Sequence, residues 1–191
     1  MKKILLSLMA LTVFFSLTSQ NAFALRSDDA PDVIGPIVGE KLPVEIMMKD
    51  QTGTVKTLAD LQGEKGTVLV FYRSADWCPY CQMQLIDLQL YADKPIRDKG
   101  YGLVGISYDD VSILKRFTKK WSIKYPLLSD EGSKVIDALN IRNPAYKGRS
   151  RFYGVPYPLV IVLDENGVVK AKLFEKSYRK RPPVSEILDA L

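Results

Sequence analysis

The sequence predicts an α/β fold, a central mixed sheet flanked by helices with an N-terminal β-hairpin extension. Three observations lead there. The runs TVLVFY (67–72), LVGIS (103–107) and PLVIVLD (158–164) are of strand length and almost wholly apolar, the pattern of strands buried on both faces. Between them apolar residues recur at helical spacing, so that strands and helices alternate along the chain. Short strand-like runs also flank turn signals near both ends, which adds antiparallel strands to the sheet.

In chain order, residues 25–41 contain Asp28, Asp29, Pro31, Gly35, Pro36 and Gly39 and form a lead-in without a core pattern. Leu42 to Met48 and Thr54 to Thr57 flank Asp50-Gln51-Thr52-Gly53, a hairpin with Gly53 at the positive-φ position. The buried strand 67–72 follows. From Cys78, residues Leu85, Leu88 and Ala92 share a helical face, with Gln82, Gln84, Asp87 and Gln89 on the others. After the strand 103–107, VSILKRFTKKW (111–121) is an amphipathic helix, YPLLSD (125–130) a short strand and SKVIDALN (133–140) a helix. The stretch 142–154 is irregular. Strand 158–164, the turn Glu165-Asn166-Gly167 and VVKAKLFE (168–175) make a second hairpin, and VSEILDAL (184–191) a last helix. There is no internal repeat, and residues 42–191 form one domain.

The first 24 residues have the form of an export signal. Lys2 and Lys3 precede an apolar run over 4–16, and Ala22-Phe23-Ala24 supplies the small-x-small cleavage pattern. A membrane anchor needs about 20 unbroken apolar residues, and this run fades into Ser-Leu-Thr-Ser-Gln-Asn. Cleavage after Ala24 leaves 167 of the 191 residues, with the formal charge falling from +5 to +3 as the two lysines leave. The expected location is the bacterial periplasm or the medium, with no stable membrane insertion. So small an excess of charge, on an exported chain without a concentrated basic face, speaks against nucleic acid as a partner.

The chain holds two cysteines, Cys78 and Cys81, in DWCPYCQ, and no histidine. Exported proteins usually spend cysteines on structural disulfides, but a bridge closing so small a loop removes little unfolded-chain entropy. Chemistry is the better explanation. Cys78 falls just past the carboxyl end of strand 67–72, where catalytic groups of such sheets gather, and at a helix start. The partial positive charge and unpaired N–H groups there stabilise an anion. Thiols so placed titrate at roughly 3.5–7.5 rather than about 8.5, and the thiolate is the nucleophile. Pro79 suits the first helical turn, and Cys81, one turn on and less exposed, is placed to attack a mixed disulfide formed at Cys78. Zinc wants four ligands, usually Cys or His, and the chain has neither a histidine nor a third cysteine. A histidine-activated hydrolase is excluded for the same reason. No cofactor is called for; a dithiol–disulfide couple remains.

WCPYC after a buried strand and at a helix start resembles the thioredoxin-like fold. LVFYRSADWCPYCQMQL, LVGISYDD, YPLLSD and YPLVIVLDENGVV, in that order, resemble the redoxins of the alkyl hydroperoxide reductase/thiol-specific antioxidant group, in particular peroxiredoxin-like members with CxxC. The likeness runs from about Gly39 to Tyr178. It implies Cys78 as the attacking cysteine, Cys81 as the resolving one, and Pro158 as a cis-proline facing the pair, with the backbone of Tyr157 turned toward substrate. Pro156 is a second candidate for that proline. Two departures matter. Where such peroxidases carry Thr or Ser three residues before the reactive cysteine, this chain has Ala75, and their active-site arginine falls at Pro158.

Around the pair, Trp77 and Tyr80 are expected to form a flat apolar rim for substrate. Arg73 and Asp76 are electrostatic candidates: Arg73 either lowers the Cys78 pKa or serves a structural ion pair, and Asp76 either relays protons or is solvated. KSYRKR (176–181) reads as an exposed charged turn. The leading expectation is an exported thiol–disulfide oxidoreductase acting on protein thiols or disulfides, with a redox partner protein. A thiol-dependent peroxidase acting on peroxides is the runner-up, and a redox-sensitive binding module the third reading.

Overall fold

A computed structural model describes residues 34–43, 45–148, 150–175, 177 and 179–191. The expected leader over 1–24 and the start of the lead-in lie outside the described residues. Among the described residues, seven strands form one mixed sheet: β1 (Met47–Asp50), β2 (Val55–Thr57), β3 (Gly66–Phe71), β4 (Tyr101–Ser107), β5 (Leu127–Ser129), β6 (Leu159–Asp164) and β7 (Val169–Phe174). One half runs in the order β2-β1-β5-β4 and the other β3-β6-β7. The Tyr72 N–H, donating to Ile106 O at 3.0 Å, ties the carboxyl ends of β3 and β4 and joins the halves. β4 and β5 are parallel, whereas β1–β2, β1–β5, β3–β6 and β6–β7 are antiparallel.

The continuous apolar runs have the consequence expected of them. Along β3, Val68 and Val70 enter one core and Leu69 and Phe71 the other; along β6, Val160 and Val162 face Leu159, Ile161 and Leu163 in the same way. The helices α1 (Pro79–Asp87), α2 (Asp93–Asp98), α3 (Val111–Trp121), α4 (Lys134–Ala138) and α5 (Val184–Asp189) cover the sheet. Leu85 of α1, Ile96 of α2, Leu114 of α3 and Ile187 of α5 fill the first core, which also holds both cysteines. Val135 and Ile136 of α4 fill the second.

The helix that begins after Cys78 does not stop at α1. It continues through a π-helical turn, Leu88–Ala92, into α2. Such a widened turn accommodates one residue more than an α-turn, and here it keeps Leu88 and Ala92 both buried. The first hairpin turns as expected, with Gly53 at φ +89° and the Asp50 carboxylate accepting the N–H groups of Thr52 and Thr54. The lead-in does more than the sequence suggests. Ile34 is buried in the second core, and across the outer edge of β7 the Gly39 N–H donates to Val169 O while the Val169 N–H donates to Glu40 O. Among the described residues, no helix is long and apolar enough to cross a membrane.

Candidate active site

Cys78 is the N-cap of α1, with extended backbone (φ −104°, ψ 96°), and Pro79 opens the helix without a donor to lose. Its Sγ accepts the Cys81 N–H at 3.2 Å, the interaction the helix start was expected to supply. The two sulfurs are joined in a disulfide with the Cα atoms 5.3 Å apart. Both are covered: Cys78 is 1% exposed and Cys81 0%. Attack on the bond therefore needs a partner that can reach past the residues around it.

The aromatic side chains beside Trp77 come from the stretch the sequence left irregular. Two short 3₁₀ turns, Pro144–Tyr146 and Ser150–Phe152, carry Tyr146 and Phe152 to Trp77, the residue before Cys78. The Trp77 ring meets Phe152 edge-on at 4.7 Å and Tyr146 at 6.5 Å between centroids, and its Nε1–H donates to the Tyr108 hydroxyl at 2.9 Å. Trp77 is thus part of an aromatic cluster rather than one side of a flat rim. Tyr80, partly buried, borders a cleft of about 180 Å³ with Met83, Gln84, Leu88, Arg181 and Pro183.

The charged candidates separate. Arg73 is 1% exposed; its guanidinium donates to the Tyr146 hydroxyl at 3.4 Å and lies 6.0 Å from the Trp77 ring centre, a distance at which cation and π-face attract. It braces the aromatic cover. Asp76 is exposed and pairs with Arg116 at 3.6 Å and Arg151 at 3.9 Å, which ties the CxxC loop to α3 and to the second 3₁₀ turn.

The cis-proline implied by the resemblance is not present: no peptide bond among the described residues is cis, so Tyr157–Pro158 is trans. The segment before it is paired with residues 141–143. Pro156 bridges to Arg142 and the Tyr157 N–H donates to Ile141 O at 2.7 Å, holding the segment before Pro158 extended. Tyr157 packs edge-on against Phe174 in the second core, on the sheet face away from the sulfurs. Alternation along β6 puts Pro158 on the cysteine face, at the sheet end where Cys78 lies.

Two residues went unnoticed in the sequence. Asp109, just past β4, accepts the Ala75 N–H at 2.7 Å, the Ser74 hydroxyl at 2.8 Å and the Ser107 hydroxyl at 3.0 Å. It fixes the loop that presents Cys78. Burial outweighs these bonds and lifts its carboxyl above the ordinary 3.8. In the pH window from that value up to the raised one, the folded chain holds a proton that the unfolded chain has lost, so stability falls as pH rises through the window. Asp109→Asn should flatten that slope while costing about 1–3 kcal/mol at neutral pH, because an amide NH₂ now faces donors. Urea unfolding of both proteins across the acidic range checks it.

The second is Arg181. The turn read as exposed does carry exposed Arg179 and Lys180, but Arg181 Nη2 lies 3.3 Å from Cys81 Sγ and 3.8 Å from Cys78 Sγ. Pro182, buried, and Pro183, the N-cap of α5, direct the chain back against α1. No metal ligand cluster of three or more acidic or cysteine side chains occurs among the described residues.

Residues 38–172 match the model of the AhpC/TSA family. A chloroplastic peroxiredoxin Q of Gentiana triflora is 31% identical over 150 residues, covering 78% of this chain and 64% of that protein. The peroxiredoxin Q of Sedum lineare is 28% identical over 182 residues, covering 93% and 92%. Among solved structures, a peroxidoxin from Mycobacterium tuberculosis superposes with a TM-score of 0.69 at 23% identity, over 83% of this chain and 96% of that one, and shows the shared fold. On that match, and with a CxxC disulfide at the head of α1, the chain belongs to the AhpC/TSA family of thiol-dependent oxidoreductases.

Proposed function

We propose that the protein is an exported thiol–disulfide oxidoreductase that cycles Cys78 and Cys81 between dithiol and disulfide in exchange with protein thiols. The observation that carries this is the paired sulfur site itself. The attacking sulfur caps a helix and accepts a backbone N–H, and its partner is held one turn away by the same helix. A disulfide across so short a loop contributes little to stability, so its formation and cleavage are its use. Export rests on the leader sequence over residues 1–24.

A peroxidase reading is supported by two observations of its own. The relatives are named peroxiredoxin Q, and Arg181 brings a cation to the sulfurs although Pro158 stands where the family arginine was expected. Ala75, in place of a hydroxyl side chain, weighs against it. Both readings share one half-reaction, reduction of the Cys78–Cys81 bond by an external thiol; they differ in the oxidant. Rapid mixing of the reduced protein with a disulfide-bonded protein and with hydrogen peroxide decides. The expected result is faster oxidation by the disulfide. Faster, saturable oxidation by peroxide establishes the peroxidase instead.

A further inference from the structure

We propose that Arg181 is a catalytic residue of this disulfide cycle, keeping Cys81 as the thiolate whenever the Cys78–Cys81 bond is open. The inference rests on the dithiol–disulfide reading above and assigns the charge on its second sulfur. Burial poses the problem. Cys81 is fully enclosed in the first core, and apolar surroundings disfavour a thiolate. Yet Cys81 must carry negative charge both as leaving group and as resolving nucleophile, and the chain has no histidine to take its proton.

Cys78 has the helix N-terminus and the Cys81 N–H to stabilise its anion. Cys81 lies inside the helix and has its own i→i−3 backbone bond to make, so the helix start serves it less. The guanidinium supplies what is missing. It is nearer Cys81 Sγ (3.3 Å) than Cys78 Sγ (3.8 Å), and an arginine remains charged at every physiological pH. The other charged or titratable groups around the pair are Tyr80, Tyr72 and Tyr125 in the same core, Asp109 behind Ala75, Asp87 and the exposed Arg179 along the cleft that Arg181 and Tyr80 line, and Arg73, which is directed to Tyr146 and Trp77. Burial pushes the phenols of Tyr72 and Tyr125 well up, and of these cations Arg181 is the one within reach of both sulfurs.

The guanidinium is held by construction. Its Nη1 donates to Lys180 O, and the residues after it are two prolines with little backbone freedom. Helix α5 beyond them is anchored by buried Ile187, by Lys99 Nζ on Leu188 O, and by Lys170 Nζ and the Tyr101 hydroxyl on Leu191 O.

In the reducing direction an external thiolate attacks Cys78 Sγ. A new S–S bond forms, the Cys78–Cys81 bond breaks, and its electron pair departs on Cys81 Sγ beside Arg181. A second external thiolate attacks the external sulfur of the mixed disulfide and expels the Cys78 thiolate; the external pair leaves as a disulfide and the protein has gained two electrons. In the oxidising direction the Cys81 thiolate attacks the Cys78 sulfur of a mixed disulfide; the Cys78–Cys81 bond forms, the bond from Cys78 to the external sulfur breaks, and the external thiolate leaves with the electron pair. Charge on Cys81 exists only once the bond is open, so Arg181 favours the open forms over the closed one.

The test equilibrates the full-length wild type, Arg181→Gln and Arg181→Lys with a glutathione redox buffer. Thiolate absorbance of Cys81 is also titrated against pH in a Cys78→Ser background, with and without Arg181→Gln. Arg181→Gln should move the equilibrium toward the disulfide by at least about tenfold, or about 30 mV, and raise the midpoint of Cys81; Arg181→Lys should recover most of the shift. Arg181→Met, uncharged and similar in stem, carries the same expectation if the glutamine variant does not fold. A neutral variant that melts like wild type and keeps both values overturns the inference. If the wild-type pair equilibrates normally in that experiment, the cycle stands without Arg181; if the wild-type pair never exchanges with glutathione, the redox reading falls as well.

Discussion

Serine in place of Cys78 should abolish disulfide exchange and peroxide consumption together, lowering either rate by about a thousandfold or more, the scale on which loss of a nucleophile acts. The sulfur removed is the one at the helix start with a backbone N–H at 3.2 Å, and a hydroxyl does not ionise there near neutral pH. The fold should survive. Opening a disulfide across three residues returns little entropy to the unfolded chain, and serine at an N-cap is among the preferred residues. Steady-state thiol oxidation, with circular dichroism to establish folding, checks both halves. Retained turnover would mean that Cys81 is the attacking sulfur.

Gly66→Ala should be the most destabilising small substitution in the sheet. Gly66 opens β3 at φ +132°, paired with Asp164 of β6, and a Cβ there collides with the Leu163 carbonyl oxygen. Backbone strain and overpacking, each worth 1–3 kcal/mol, add to about 3–5 kcal/mol, or roughly 6–20 °C in Tm for a chain of this size. Gly53 is the control. It also has positive φ (+89°), but its added Cβ meets nothing within 4 Å, so Gly53→Ala should cost only about 1 kcal/mol. Thermal melts of the two variants separate close approach from conformational strain.

These two glycines also show what the sequence could convey. Gly53 sits in a turn whose Asp-Gln-Thr-Gly spelling announces a positive φ, whereas nothing around Gly66 announces a carbonyl contact nearly a hundred residues away. Strands β3, β4 and β6 were legible because their apolar runs need no partner to be recognised, whereas β1, expected from Leu42, begins only at Met47. Helix α3 was legible to the residue because its apolar spacing and the Asp110 N-cap, accepting the Ile113 N–H, are both local.

The site divides in the same way. Cys78, Pro79 and Cys81 declare their chemistry through spacing and position after a strand. Asp109 did not, since in Ser-Tyr-Asp-Asp it is indistinguishable from the helix-capping Asp110 beside it; only burial tells them apart. Arg181 lies 100 residues from Cys81 among cations whose composition signals solvent. The one local hint is Pro182-Pro183 ahead of a helix that must bury Ile187, which fixes where the chain has to return. The proline isomer failed for a related reason. Resemblance supplied the position of Pro158, but the segment before it is tied to Ile141 and Asn143 by backbone bonds that its own sequence does not announce.

The most direct measurement is the fate of a Cys81→Ser variant exposed to oxidised exported proteins, followed on non-reducing gels and by mass spectrometry. With the resolving sulfur gone, attack by Cys78 should stop at the mixed disulfide, so covalent complexes joined through Cys78 should accumulate and dissolve on reduction. If Cys78 forms no such complexes but is converted by hydrogen peroxide in a fast, saturable reaction, the account of this site as a disulfide-exchange centre is contradicted.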